Sequence, residues 1–407
     1  MKHKHASSFH IGSLTLLRDT LALFLEKGWP ADRTLNEIFR KYRIKDERVR
    51  AELASRFYGI VRYWRPLSTA LGKDSFESVN EVKLLVDTLH KWKAIYRRGG
   101  APSGEGQVSE RLVKFSRIRK MRESYPDWLD ALAEKELGAE HWDALANALN
   151  RDAEIFLRTN TLRGNRDALL ELLKKEEVEA TAVEGSEEAI VLKDYVNVFP
   201  LSSFREGYFE VQDLSSQQVS RFLDVRPGMR VADACAGNGG KTLHLAALMQ
   251  NRGKIVAMDV SEKKLDELRT RASRNKADLI ETRLVAKGKT AKRKDASFDR
   301  LLLDVPCSGT GVLRRNPDIR WRLVPDDLPV LMRMQQEILE TYSPMVKPGG
   351  KMVYATCSIF PCEGEEQVKT FLKTHGETWK LEEERRTDPV SDSGDGFYMA
   401  RLEKIKE

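Results

Sequence analysis

Along the first hundred residues the apolar positions recur with helical spacing. Leu14, Leu17, Leu21 and Phe24 share one helical face, and Gly28 followed by Pro30 predicts the end of that helix. A second helix is predicted through Leu35, Ile38, Phe39 and Tyr42. A third runs through Val49, Leu53, Phe57, Ile60 and Val61 and should end before Pro66. Nothing in this stretch alternates like a sheet, so a helical bundle is expected. The segment RRGGAPSGEGQ (97–107), rich in Gly, Pro and Ser, reads as a linker, and helical spacing resumes beyond it through Leu149. Between 155 and 212, short strand-like runs (IFLRTN, AIVL, YFEVQD) accompany one helix, DALLELLKK, which predicts a small α+β element.

From about residue 225 the runs MRVADAC, KIVAMD, FDRLLLDV and KMVYATCS alternate with helix-like stretches. Apolar strands separated by helices predict an α/β fold, with a parallel sheet covered on both faces. Ligands of such sheets bind at the carboxyl ends of the strands, so the residues just after each run carry the most information.

MRVADAC leads into AGNGGKTLHLAALM, where Gly237, Gly239 and Gly240 permit positive φ and a close approach of ligand to bare backbone. A phosphate-binding Walker loop would need Gly at Cys235, and the dinucleotide fingerprint would need Gly at Thr242. A looser glycine turn, of the kind that holds the amino-acid end of S-adenosylmethionine, remains. Asp259, closing KIVAMD, is placed to accept hydrogen bonds from ribose hydroxyls, or simply to cap the helix after it.

Cys307 and Cys357 each follow a buried strand on the side of the glycine loop. A lone intracellular Cys is usually an inert small hydrophobe, whereas two at neighbouring strand ends suggest chemistry. Methylation at an unactivated pyrimidine carbon needs a thiolate. Addition at C6 makes C5 nucleophilic, with an acid (Asp304 here) at N3 and the base flipped out of its stack. Position alone leaves open which thiol attacks.

With 407 residues, 41% hydrophobic and 32% charged, the chain should hold two or three domains. Its net charge of +7 slightly favours a polyanionic partner. The start, MKHKHASSFHIG, lacks the apolar run of a signal peptide, and no stretch is long and apolar enough for a membrane span. A cytoplasmic protein is expected, with Cys235, Cys307, Cys357 and Cys362 as free thiols. No C-x-x-C pair or zinc-like His spacing occurs, so no metal is expected, and His3, His5 and His10 read as a solvated tail.

Three segments, DACAGNGGKT (233–242), DVPCSGTGVLRRNPDIRW (304–321) and TCS (356–358), resemble the motifs of the RsmB/Nop2/Sun family of RNA cytosine-5 methyltransferases. RTN (158–160), GYFEVQD (207–213) and DGFYMARL (395–402) extend the likeness over the last two-thirds of the chain, nearest the family's bacterial 16S rRNA branch. The resemblance implies a Rossmann-like class I methyltransferase domain, S-adenosylmethionine as cofactor and RNA as substrate, rRNA ahead of tRNA. It makes Cys357 the nucleophile and Cys307 the residue that assists product release. Cys235, Ala236, Gly237, Asn238, Gly239, Gly240, Lys241, Asp259 and Asp304 would line the cofactor site, and Cys362 would be structural.

The N-terminal helices, above all ELASRFYGIVRYWRPL (52–67), resemble a NusB-like RNA-binding domain, and the α+β element the family's small RNA-recognition-like domain. The expected division is a helical domain at 1–98, a linker at 99–110, the small region at 111–205 and the catalytic domain at 206–407. No further domain is expected to follow, and the protein should be a monomer. One stretch departs from the family. After the third strand, LVAKGKTAKRKDASFD puts Lys287, Gly288 and Lys289 where a carboxylate usually meets adenine, with Asp295 and Asp299 too far along. Adenine would then be held by backbone and packing, or less tightly; an RNA-binding assembly factor without catalysis is the alternative.

Lys287, Lys289, Lys292, Arg293 and Lys294 read as a solvated loop or a phosphate contact; Arg314, Arg315 and Arg320 are better phosphate candidates. Tyr63 and Trp64 are expected in the helical core, with Arg62 and Arg65 facing RNA.

Overall fold

In the computed structural model, which describes residues 11–101, 105–285 and 296–406, the helical spacing of the N-terminal region becomes three helices, Ile11–Lys27, Ala31–Lys41 and Glu47–Arg62. Gly28 ends the first at φ +59, and Asp46 caps the third by accepting from the amide of Arg48 at 2.8 Å. Pro66 falls in the first turn of the next helix, Trp64–Leu71, where a missing N–H costs nothing. The basic stretch with Lys287, Gly288, Lys289, Lys292, Arg293, Lys294 and Asp295 lies outside the described residues, as do His3, His5 and His10.

Packing divides the chain into two units, Met1–Arg151 with Leu313–Pro325, and Asp152–Val312 with Asp326–Glu407. In the first, Leu17, Phe57, Ile60, Leu67, Leu85 and Trp92 form the centre of an all-helical core. Tyr63 belongs to that core and Trp64 packs against it, as the sequence suggested. Arg62 donates to the carbonyl of Arg314 (2.7 Å) and Arg65 pairs with Asp127 (2.7 Å), so both guanidinium groups have partners inside the unit.

The segment 313–325 is part of this helical unit. Trp321 donates its indole N–H to the carbonyl of Val61 at 2.7 Å, and Asp318 accepts from the amide of Ala31 at 3.2 Å. Arg320 is fully buried. Its guanidinium donates to the carbonyls of Glu123 (2.9 Å) and Ser124 (3.3 Å) and lies 4.2 Å over the ring of Tyr125. Arg314 is buried as well. The expectation of phosphate contact is therefore corrected for these two residues: what looked like a basic surface in sequence is the inner face of a packed segment.

The second unit begins with a small antiparallel sheet of β1 (Phe156–Thr159), β2 (Ala180–Ala182), β3 (Ala189–Leu192) and β4 (Phe209–Val211), in the order β2-β3-β1-β4. The predicted helix is present as Arg166–Lys175. A larger sheet of seven strands follows: β5 (Arg230–Asp233), β6 (Lys254–Asp259), β7 (Ile280–Leu284), β8 (Phe298–Asp304), β9 (Val346–Thr356), β10 (Trp379–Thr387) and β11 (Phe397–Lys404). Its order is β10-β11-β9-β8-β5-β6-β7. Strands β5 to β9 are mutually parallel, while β11 runs antiparallel to both of its neighbours, β9 and β10, so the sheet is mixed where the sequence predicted a parallel one.

Alternate residues of one strand serve opposite faces. Leu301 and Leu303 meet Leu339, Val368 and Phe371 from the helices Asp327–Tyr342 and Glu365–His375. Leu302 meets Val219 and Leu243 from the helices Leu214–Phe222 and Gly240–Leu248 on the other side. The chain lays down β5, β6 and β7 in one direction and then returns to place β8 and β9 on the far side of β5. That reversal opens a crevice above β5 and β8, where α/β sheets bind their ligands.

Among the described residues, no helix is long and apolar enough to cross a membrane, and no group of three or more His, Cys, Asp or Glu is arranged to hold a metal ion.

Candidate active site

A cleft of about 490 Å³ lies in this crevice, within the size range of small-molecule sites. Of the residues singled out for the cofactor, Cys235, Ala236, Gly237, Asn238, Gly240, Lys241, Asp259 and Asp304 all line it. Gly239 does not. It sits at φ +89, and a Cβ there would come 2.6 Å from Cγ of Leu268, so its need for glycine is one of packing.

Gly237, at φ +54, has open space where a Cβ would be, so bare backbone faces the cleft. Its amide donates to Asp259 at 2.9 Å, and Asp259 also accepts from the amide of Ser261 at 2.8 Å. The Asp259 carboxylate thus closes the glycine turn onto the end of β6 and still presents lone pairs to the cleft. Ribose hydroxyls are donors that such an acceptor suits, and the glycine turn with the start of helix Gly240–Leu248 suits a carboxylate. The donor set fits S-adenosylmethionine.

Across the crevice, Lys241 donates to Asp304 at 2.6 Å, joining the helix after β5 to the end of β8. Below them Asp233 is buried and accepts from the Thr242 hydroxyl at 2.7 Å. Burial, reinforced by the charge of Asp304, raises its carboxyl from 3.8 to about 7, against the pull of Thr242 and Lys241. Burial and the carboxylates of Asp233, Asp304 and Asp259 push the Cys235 thiol up, which disfavours the thiolate there.

Braces that sequence reasoning missed hold the glycine loop from the small sheet. Arg158 of β1 is buried and donates to the carbonyl of Gly240 at 2.6 Å, and to Gln212, whose side chain lines the cleft. Arg271 donates to the carbonyl of Asn238 (2.8 Å) and to Glu210 (2.8 Å). Asn160 donates to the carbonyls of Gly207 and Asn275. RTN and GYFEVQD are therefore the joint between the small sheet and the cofactor loop. The signal available was their place in strand-like runs that carry an Arg, a Gln and a Glu among apolar residues.

Cys307 and Cys357 follow the adjacent parallel strands β8 and β9, both residues partly exposed, and their sulfur atoms are 3.3 Å apart. The hydrogen bond with Cys357 and then burial hold the Cys307 thiol well above its usual range. Two loops are stitched together beneath the sulfurs: the amide of Gly311 donates to the carbonyl of Cys357 (2.9 Å) and that of Ile359 to the Thr310 hydroxyl (3.1 Å). Cys362 is partly exposed and follows in the second of these loops.

Residues 220–403 match the family described as 16S rRNA methyltransferase RsmB/F, and residues 125–199 match the ferredoxin-like domain of RsmF/B-like methyltransferases. A ribosomal RNA small subunit methyltransferase B of Pseudomonas putida is 36% identical over 313 residues, spanning 73% of this chain and 70% of that protein. Among solved structures, PH0851 superposes with a TM-score of 0.79 at 26% identity, over 96% of this chain and 99% of its own. A methyltransferase homolog from Pyrococcus horikoshii gives 0.63 at 28% identity, over 70% and 97%. The chain belongs to the RsmB/F family of 16S rRNA methyltransferases, S-adenosylmethionine-dependent enzymes with RNA as substrate.

Proposed function

We propose that this chain methylates C5 of a cytosine in small-subunit rRNA, with Cys357 as nucleophile. The observation that supports this most is the 3.3 Å contact of two thiols at neighbouring strand ends beside the cleft. The Cys357 sulfur bonds to C6 of the flipped cytosine while its proton passes by way of the Asp304 carboxylate, backed by Lys241, to N3, so the displaced electron pair builds up on C5. When bound, S-adenosylmethionine supplies the electrophilic methyl group that C5 takes. Loss of the C5 proton to solvent then restores the C5–C6 double bond and expels the Cys357 sulfur, and the N3 proton returns by way of Asp304 to that sulfur. Cys307, kept as a thiol, donates a hydrogen bond to the departing sulfur and lowers the cost of that departure. Asp259 and the loop from Cys235 to Lys241 hold the cofactor. In this reading the helical N-terminal domain and the small sheet bind RNA.

The test is methyl transfer from labelled S-adenosylmethionine to small-subunit rRNA, with bisulfite sequencing of the product and tRNA in parallel. Incorporation at a cytosine in rRNA, lost in Cys357→Ala, is the expected outcome. Full activity of Cys357→Ala overturns the nucleophile, and label in tRNA alone overturns the substrate.

A further inference from the structure

Outside the cleft, the most unusual polar group of this unit is a carboxylate with no exposure. Glu363 is completely buried six residues after Cys357. One carboxylate oxygen accepts from the amide of Ser308 (2.8 Å) and from the Gln335 side chain (3.0 Å); the other accepts from the Ser358 hydroxyl (2.6 Å). No Lys or Arg is among these partners. Three donors converge on an acceptor-only group, an arrangement that satisfies a buried carboxylate but would be broken if any of its partners moved.

The partners identify its role. Ser308 follows Cys307 and Ser358 follows Cys357. Gln335 also donates to the carbonyl of Pro306 at 3.0 Å, on the other side of Cys307. Ser308 and Ser358 are joined directly at 3.2 Å, and the carbonyl of Glu363 accepts from the hydroxyl of Tyr354, on β9, at 2.7 Å. The Glu363 side chain therefore fixes residues flanking both thiols, while its backbone carbonyl ties this turn to the strand that carries one of them. A buried ionised group is costly to place, and the cost is met only where the geometry around it is complete. An apolar residue would serve mere packing better.

We propose that Glu363 is a positioning residue that sets the spacing of the Cys307 and Cys357 thiols. The inference rests on the reading of those thiols given above, but its first test does not depend on methyl transfer. Its charge also helps to hold Cys307 as the protonated member of the pair.

Three variants separate length from charge. Glu363→Gln retains the reach and can accept from Ser308 and Gln335 while donating to Ser358. Glu363→Asp keeps the charge but loses a methylene, and Glu363→Ala loses both. Phenylarsine oxide, which captures two thiols held close together, reads the spacing directly, with peptide mapping to locate the captured pair. Capture at Cys307 and Cys357 should persist in Glu363→Gln and fall in Glu363→Asp and Glu363→Ala. Misplaced thiols should lower kcat in those two variants by about 100-fold with little change in KM for RNA, and Glu363→Gln should recover most of it.

If Glu363→Ala fails to fold, Glu363→Asp against Glu363→Gln decides. Wild-type capture and kcat in a folded Glu363→Asp overturn the proposal, as does loss of capture in Glu363→Gln. Activity surviving in Cys357→Ala would sink the nucleophile assignment, while the capture result would still judge Glu363.

Discussion

Cys307 and Cys357 are fifty residues apart in sequence, yet their sulfur atoms meet at 3.3 Å because β8 and β9 are parallel neighbours ending at the same level. In the proposed mechanism Cys357 attacks C6, and Cys307 assists when that bond later breaks. Replacing the helper should leave bond formation intact and slow its reversal. Cys307→Ala should accumulate a covalent protein–RNA adduct, visible as a slow band on a denaturing gel and absent from the double variant with Cys357→Ala. No band under single-turnover conditions would remove Cys307 from the release step.

Lys241, mostly buried, ties the glycine-loop helix to the end of β8 by donating to Asp304 at 2.6 Å. Lys241→Met keeps the stem and removes the charge, leaving Asp304 to face the cleft without its donor. A charge-assisted hydrogen bond of this kind is worth about 2 kcal/mol, so kcat/KM should fall roughly 30-fold. Thermal melting beside the kinetics separates this from loss of fold. An unchanged kcat/KM would mean that the pair has no part in the reaction.

Much of this architecture is written in local pattern. The strands β5, β6, β8 and β9 each carry a short buried apolar run because both faces are covered there, and the residues at or just after their carboxyl ends reach the crevice. The outer strands were harder to read. β10 is WKLEEERRT and β7 is IETRL, edge strands whose charged side chains face solvent, so no hydrophobic period marks them. Buried charge was also hidden. Arg320 and Glu363 look like surface residues by type, and only long-range partners such as Ser124 and Ser308 reveal them as internal. Sequence spacing carries no trace of those partners.

Two glycines of the site make opposite demands. At Gly311 a Cβ would lie 2.0 Å from the carbonyl oxygen of Gly396 and 2.9 Å from that of Cys357, with backbone on both sides. Gly311→Ala should cost about 2–3 kcal/mol and lower Tm by roughly 5–10 °C. Gly237 has open space at that position and only its φ of +54 opposes a side chain, so Gly237→Ala should cost less than Gly311→Ala, about 1–2 kcal/mol in backbone strain. Its methyl group would project where ligand is expected, and binding of S-adenosylmethionine by calorimetry should weaken at least ~10-fold. The reverse pattern, with Gly237→Ala unstable and Gly311→Ala neutral, would contradict the geometry of both loops.

Asp233 makes the pH dependence of stability testable. Burial is the largest influence on its carboxyl, which moves from 3.8 to about 7 in the folded protein. Between pH 4 and pH 7 the unfolded chain has therefore released a proton that the folded chain keeps. The unfolded state binds fewer protons across this window, so the contribution of Asp233 is fully present below pH 4 and is lost as pH rises through 7. The whole difference is at most about 4 kcal/mol. Asp233→Asn cannot titrate, and its amide oxygen can still accept from Thr242. Relative to the variant, the wild type should lose stability progressively from pH 4.5 to 7.5 and then level off. Paired melting curves of the two proteins in the same buffers cancel every other titrating group. A Tm difference that stays flat across this range would show that Asp233 is ionised throughout, with its charge matched by Lys241 despite burial.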